Sequence, residues 1–211
     1  MRLIDAGEVE TVGGRILLEE RFRALQRQIP LLYVVVLTNL MGLHLSGGGD
    51  LTSPFTLALI ALVMFRLAHW LRVRNRHIPA ERILGELRKT WVYAVIFSLG
   101  FCAWAFRLIA TGQVGEENYV ILFGSLAAIG CAYGVSRYPA AAKTPLLLLG
   151  VPLSLRLVFS NDPGQIGMGV SLGVVLLVLM RLLGLHDEGF RELVESRTAI
   201  SLERERAQRA E

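Results

Sequence analysis

Long apolar runs recur six times along this chain, and they restrict its possible folds more than any other feature. Each run approaches the roughly 20 residues that an α-helix needs to cross about 30 Å of hydrocarbon. The chain is also 53% hydrophobic and only 19% charged, whereas a soluble domain is about 25% charged. We therefore predict an all-α membrane protein with a bundle of six transmembrane helices. The predicted spans are 29–45, 54–73, 89–110, 118–137, 144–159 and 165–185.

The distribution of Lys and Arg predicts the orientation of these spans. The connections at 46–53, 111–117 and 160–164 contain no Lys or Arg, whereas 18 of the 22 basic residues flank the spans on the opposite side. Because basic residues collect at the cytoplasmic ends of membrane spans, both termini are expected in the cytoplasm. The same pattern explains the net charge of +4 without nucleic acid as a partner. Short outer connections would pair the spans as three antiparallel hairpins.

Proline and glycine modify individual spans. Pro152 lies inside the fifth span and predicts a kink, because proline removes a backbone hydrogen bond. That span is short, and it is expected to gain length from residues 140–142. Two G-x-x-x-G motifs, 130–134 and 169–173, permit close helix approach. Packing within the chain is favoured over dimerisation as their role.

The first 28 residues are predicted to be a cytoplasmic tail that ends in an amphipathic helix, at 15–28. Charged residues alternate there with an apolar series at helical spacing, namely Ile16, Leu18, Phe22, Leu25 and Ile29. An Arg-rich helix of this kind favours the inner headgroup layer of a membrane. The alternative is a solvated segment that simply leads into the first span.

Residues 186–211 form a polar segment that predicts a connecting helix continuous with the last span. Leu193, Ile200 and Ala207 recur every seven residues, and alternating Glu and Arg support a solvated helix. These two to three heptads are fewer than a coiled coil usually shows. The helix reaches Glu211 without a capping residue. We therefore expect it to lead into a downstream domain, with Leu193, Ile200 and Ala207 transmitting the signal.

The segments on either side of the bundle resemble those of a known family. The first runs Arg-Phe-Arg-Ala-Leu-Gln-Arg-Gln-Ile-Pro-Leu-Leu-Tyr from Arg21, and the second runs Leu-Glu-Arg-Glu-Arg-Ala-Gln-Arg-Ala-Glu from Leu202. Together with the short-looped spans, they resemble a bacterial membrane-associated sensor (MASE-type) domain. The resemblance implies a homodimeric input module in the inner membrane, ahead of a diguanylate cyclase (GGDEF), EAL phosphodiesterase or histidine-kinase domain. The resemblance carries no catalytic motif, so it assigns no functional residue. The sequence Gly-Gly-Gly-Asp at 47–50 is predicted to lie in an outer loop and is not a cyclase signature.

Polar side chains inside the spans supply the candidate ligand-binding residues. A charged residue in the bilayer core is costly and calls for an explanation. Arg66 is the deepest of four such arginines, and an alternative is that it bonds to carbonyls or to Asn39. Arg181 can snorkel to the inner face. The predicted ligand-binding set is Arg66, His69, Trp104, Arg107 and Arg156.

Arg107 and Arg156 lie near the outer face, without an acidic residue inside the spans. Their counterions are expected to be Glu116, Glu117, Asp162, lipid phosphate or an anionic ligand. Either arginine can instead snorkel.

No cofactor or metal is predicted. His44 lies near the outer face and His69 near the inner face, so these two cannot share a metal or haem. Cys102 and Cys131 lie inside apolar runs and are expected to be small core residues.

Three classes of function then compete. A sensory input module that responds to lipids or to a small anionic or lipid-like ligand is favoured by the charged last helix and by the lack of an outer domain. The second is a small transporter or channel, although such proteins usually combine broken helices with a polar site at the midplane. The third is an intramembrane enzyme, but H-E-x-x-H, paired aspartates and G-x-S-x-G are all missing. This chain itself is therefore not expected to be an enzyme.

Overall fold

The computed structural model describes residues 12–45, 53–73, 80–111 and 116–210, and within these ranges every regular element is helical. Four long helices come first, then a span in three parts, then a very long helix. The elements are α1 Val12–Leu45, α2 Pro54–Val73, α3 Ala80–Thr111, α4 Glu116–Gly134, α5 Pro139–Pro145, a π-helical segment Leu146–Gly150, α6 Val151–Val158 and α7 Pro163–Ala210.

Among the described residues, five stretches of helix are long and apolar enough to cross a membrane. They are Leu18–Leu45, Pro54–Val73, Arg82–Thr111, Pro139–Val158 and Pro163–Val194. Many large apolar side chains on these helices face outward, as they do when lipid rather than water surrounds a bundle. The helix α4 does not belong to this set: its 19 residues begin with two glutamates and contain small and polar residues.

Several helices extend beyond the predicted spans. The helix α1 passes through Pro30 without ending, so no helix boundary separates the segment 15–28 from the first span. The apolar face of that segment is buried in the bundle, where Phe22 packs against Trp70 with ring centroids 5.9 Å apart. The side chain of Gln26 donates to the carbonyl of Val73, 3.0 Å away, and so satisfies the last residue of α2. The structure therefore differs from the prediction that residues 15–28 form a separate helix in the headgroup layer.

The predicted fifth span is one continuous helical stretch, Pro139–Val158, which is irregular just before Pro152, and residues 140–142 lengthen it as predicted. Pro152 has no N–H, so the carbonyl four residues earlier lacks its α-helical donor. The preceding turn is π-helical, and the N–H of Val151 donates to the carbonyl of Leu146. A π-turn of this kind absorbs one extra residue without ending the helix.

Glycines hold two pairs of helices close together. A Cβ at Gly134 would lie 2.6 Å from the Cβ of Leu32, so α1 and α4 approach at this glycine. A Cβ at Gly169 would lie 2.7 Å from the backbone nitrogen of Val158, where α6 and α7 meet. Both G-x-x-x-G motifs therefore serve packing within the chain, and that prediction is confirmed.

Candidate functional site

Arg66 of α2 is buried inside the bundle, with only 3% of its surface exposed. Its guanidinium carbon lies 4.0 Å from the centroid of the Tyr93 ring on α3. The guanidinium also interacts with the hydroxyl of Tyr33 on α1. Asn39 donates to the carbonyl of Val35 rather than contacting Arg66. Three helices therefore meet at this one cation.

The contacts of Arg66 do not satisfy its hydrogen-bonding capacity. Nε and Nη2 are buried and have no acceptor within the described ranges of the chain. A charge in the bilayer core costs about 2.5–3.5 kcal/mol, and a desolvated cation–π contact offsets about 2 kcal/mol. Each buried donor without an acceptor adds a further cost of about 1–3 kcal/mol. On these magnitudes, an additional acceptor at Arg66 would be strongly favourable.

A cavity of about 60 Å³ lies next to Tyr33, and Arg66 itself does not line it. Tyr33, the neighbour of Arg66, forms part of its wall, and so does Val63, one turn before Arg66 on α2. The remaining lining residues come from α1, α3, α4 and the fifth span and are mostly apolar. They include Ala94, Phe97, Ser98, Phe101, Ala127, Cys131 and Leu149. Arg66 and this cavity together make up the candidate ligand site.

His69 lies one turn after Arg66 but faces a different neighbour. Its Nε2 lies 3.5 Å from a carboxylate oxygen of Glu86 on α3. The other oxygen of Glu86 accepts from Lys89 at 2.8 Å. Trp70 is buried against Phe22. Arg66 and His69 thus lie one turn apart on α2 and contact different residues of α3, Tyr93 and Glu86.

Trp104 is buried in the bundle core near the start of α2. Its Nε1 donates to the hydroxyl of Thr56 at 2.9 Å, a buried bond that joins α3 to α2. Its ring meets Phe101 edge to face, with centroids 6.1 Å apart. Trp104 and Phe101 also line a second, smaller cavity of about 20 Å³. Phe101 lines both cavities, so Trp104 stands close to the part of the first cavity that Phe101 lines.

Arg107 and Arg156 do not lie with Arg66. Arg107 is exposed on the surface of α3. Arg156 donates to Glu117 at 3.2 Å, and the same carboxylate accepts from Gln165 at 2.6 Å. Glu117 was among the predicted counterions of Arg156. The pair joins the start of α4 to α6, and Gln165 extends the contact to the start of α7.

A second polar cluster, which was not among the predicted sites, lies where α7 leaves the bundle. Arg21 of α1 and Asp187 of α7 form a largely buried ion pair, with side-chain exposures of 4% and 20%. Arg137 stacks on the Phe190 ring, with its guanidinium carbon 4.8 Å from the centroid. Burial raises the pKa of the nearby Tyr138 hydroxyl, and the charge of Arg21 acts in the opposite direction. We call Arg21, Arg137, Asp187 and Phe190 the exit cluster.

A groove of about 330 Å³ separates the exit cluster from the end of α4. Arg137, Asp187 and Phe190 line it, together with Tyr133 and His186. We call the part of α7 around Asp187, where the helix leaves the bundle, its base, and this part lies on a partly open groove rather than in a closed core.

The predicted signal-transmission residues lie farther along α7. Leu193 and Ile200 are each 51% exposed, whereas Val194 is buried. The backbone at Ala207 is helical, and its side chain lies outside the described residues. Two members of the heptad series are thus available to a partner helix.

Within the described parts of the chain, no three His, Cys, Asp or Glu side chains converge in a way that could hold a metal ion. Comparison with protein-family models, with curated proteins and with solved structures gives no match in any of the three. The class of the protein is therefore inferred from its own helices. Several of them are long and apolar, and they define a multi-pass membrane protein.

Proposed function

We propose that this chain is a transmembrane sensory input module, similar to the MASE-type domains, that relays a ligand or membrane signal through α7 to a cytoplasmic output domain. The observation that carries the proposal is the ion pair between Arg21 and Asp187, which couples α1 to α7. The helix α7 is unbroken over 48 residues, or about 72 Å at 1.5 Å per residue. Asp187 lies about halfway along α7, so a shift there would be carried by 23 further helical residues, about 35 Å, to Ala210.

The ligand site and the exit cluster share the helix α1. Tyr33 of α1 contacts Arg66 and lines the cavity, while Arg21 lies on the same helix, twelve residues earlier. A ligand that binds more tightly to one arrangement of α1 and α2 shifts the population toward it. Because Arg21 is paired with Asp187, that shift changes how α7 is held. The two arrangements form the bistable element that such a relay needs.

The proposal includes a full topology. We place six spans in a bacterial inner membrane, with both termini in the cytoplasm. The helix α4 would then be the remaining span, and it packs against α1, α3 and α5 inside the bundle. Neighbouring helices would shield its polar residues from lipid. The basic exit cluster would lie on the cytoplasmic side, as the distribution of Arg and Lys predicts.

A small transporter or channel is the second candidate. The irregular turn in the fifth span favours it, because interrupted helices frequently line transport sites. Pro145, just before the π-helical segment, and Leu149, inside it, line the cavity next to Tyr33. The continuous α7 has no evident role in transport, so the sensory proposal accounts for more of the molecule.

Cysteine cross-linking in membranes tests the sensory proposal. With Cys102 and Cys131 replaced by Ala, single cysteines are placed at Leu193, Ile200 and, as an exposed residue off the heptad, Gln208. We expect dimers cross-linked through Leu193→Cys and Ile200→Cys to form faster than through Gln208→Cys. Adding Arg21→Gln should change the rate at Ile200→Cys. Equal rates at all three positions, or rates indifferent to Arg21, would contradict the relay.

A further inference from the structure

The groove beside the exit cluster lies at the depth where α7 leaves the hydrocarbon. The helix begins at Pro163 and reaches His186, which lines the groove, after 23 residues, or about 35 Å. The hydrocarbon core is about 30 Å thick, so the groove lies at the level of the lipid head groups. We propose that it binds the head group of an anionic phospholipid, such as phosphatidylglycerol, whose phosphate accepts hydrogen bonds from Arg137. This assignment deepens the proposed function, and it rests on that function only for its effect on α7.

Charge complementarity favours a phosphate in this groove. Within the described ranges, Arg137 forms no ion pair with a carboxylate. Asp187 also lines the groove, but its charge is balanced by Arg21. The charge of Arg137 therefore remains for a bound anion to balance. A phosphate does so, and its oxygens match the N–H groups of a guanidinium in geometry.

The residues around Arg137 hold it in a position to bind. Its guanidinium carbon lies 4.8 Å from the centroid of the Phe190 ring. A guanidinium carries its donors in its own plane, so contact with an aromatic face leaves them available. Tyr133 and Ser136 line the same groove, and their hydroxyls can donate to further phosphate oxygens. The turn between them is fixed by its backbone, since the N–H of Ser136 donates to the carbonyl of Tyr133 at 3.1 Å.

Apolar surface next to the groove favours a lipid over a free phosphate. Val178, Leu182 and Leu185 are all exposed on α7, and their spacing places them on one face of the helix. Leu185 also lines the groove, so this apolar stripe runs from the groove back along the membrane-spanning part of α7. The groove, with a volume of about 330 Å³, would hold the head group alone. The acyl chains would lie outside it, in the bilayer and along the stripe.

Native mass spectrometry of the chain in detergent measures the affinity for the first lipid that binds. The probes are phosphatidylglycerol and, as the comparison without net charge, phosphatidylcholine with the same acyl chains. We expect phosphatidylglycerol to bind about tenfold more tightly, the change that one charge-assisted hydrogen bond provides. Inorganic phosphate at millimolar concentration should not displace it, because a free phosphate gains nothing from the apolar stripe.

Two pairs of variants locate the lipid. Arg137→Gln should reduce the affinity for phosphatidylglycerol to that for phosphatidylcholine, whereas Arg72→Gln, at an exposed arginine of α2 outside the groove, should leave it unchanged. Gly189→Leu should weaken phosphatidylglycerol binding, because Gly189 lines the groove and a Cβ there meets nothing within 4 Å. Gly184→Leu is its control, since a Cβ at Gly184 is equally unobstructed but lies outside the groove. If Arg137→Gln does not fold, the two glycine variants still decide the matter.

Some outcomes would overturn the proposal. Equal affinity for the two lipids, or equal effects of Gly189→Leu and Gly184→Leu, would rule out a head-group site in the groove. Displacement by inorganic phosphate would show a site for a free anion instead of a lipid. The relay stands or falls separately. Phosphatidylglycerol binding at the groove, with a cross-linking rate at Ile200→Cys that is indifferent to this lipid and to Arg21, would contradict the relay and keep the site. A rate that depends on Arg21, with no preference for phosphatidylglycerol, would do the reverse.

Discussion

Arg21 and Asp187 are 166 residues apart in the sequence, yet their side chains form a largely buried ion pair that joins α1 to α7. Removing one partner of a buried pair leaves the other charge without compensation in a poorly solvated place. The pair therefore holds the base of α7 in a defined position relative to the bundle.

Asp187→Asn should loosen the base of α7. Breaking a fully buried pair costs about 3–5 kcal/mol, and we expect somewhat less because the Asp187 side chain is 20% exposed. Hydrogen exchange of the backbone around 185–195 should accelerate. Glu20→Gln is the matched control, because it breaks the exposed pair with Arg23, which is worth about 0–1 kcal/mol. Equal exchange in the two variants would contradict a structural role for the buried pair.

Gly169→Ala should destabilise the contact between α6 and α7. The new methyl group would lie 2.7 Å from the backbone nitrogen of Val158, and backbone cannot rotate away as a side chain can. Overpacking of this kind costs about 1–3 kcal/mol. Thermal unfolding in detergent measures the loss.

Gly167→Ala serves as the control for that experiment, since a methyl group there would meet nothing within 4 Å. We expect it to be neutral or slightly stabilising, because Ala is a better helix former than Gly. A similar loss in both variants would show that helix packing at Gly169 is not the cause.

Trp104 and Thr56 should show strong energetic coupling. Thr56→Val leaves the buried indole N–H of Trp104 without its acceptor, at a cost of about 1–3 kcal/mol. Trp104→Phe removes the donor and some packing as well. In the double variant the unsatisfied N–H is gone, so the combined loss should be smaller than the sum of the single losses. Unfolding by denaturant of all four proteins measures this, and strict additivity would contradict the bond.

Arg156→Gln should change stability only slightly. Its partner Glu117 is shared with Gln165, and the Arg156 side chain is 38% exposed, so solvent screens the pair. Pairs of this kind contribute about 0–1 kcal/mol. A thermal shift measurement in detergent, repeated at high salt, should show a small loss that salt reduces further. A loss as large as that of Asp187→Asn would show that Arg156 has a role beyond this pair.

Hydropathy predicted where apolar segments lie, but it did not predict where helices end. For α2 the two coincide, and the predicted bounds 54–73 are confirmed. The helices α1, α3 and α7 continue past the apolar runs, because a helix that leaves a bundle keeps its own hydrogen bonds in any solvent. Composition alone therefore does not predict where such a helix ends, because the helix continues unchanged from lipid into water.

The sequence predicted how deep in the bundle Arg66 lies, but not which residues contact it. The burial of Arg66 follows from its place in an apolar run, whereas its contact with Tyr93 depends on how α2 and α3 are rotated. The exit cluster left one signal in the sequence. Arg21 falls at helical spacing with Leu18, Phe22 and Leu25, that is, on the apolar face of its helix. A charge on such a face indicates a buried partner, although the spacing does not identify it as Asp187.

The π-helical segment before Pro152 gives the fifth span two rotational phases. One additional residue turns everything after it by about 100° around the helix axis, since an α-helix has 3.6 residues per turn. The half before it, α5, packs against α3 and α4, while the half after it, α6, packs mainly against α7. Substitutions in α5 should therefore act mainly on its packing against α3 and α4, and substitutions in α6 mainly on its packing against α7. Deletion of one residue in 146–150 would force both halves back into a single phase.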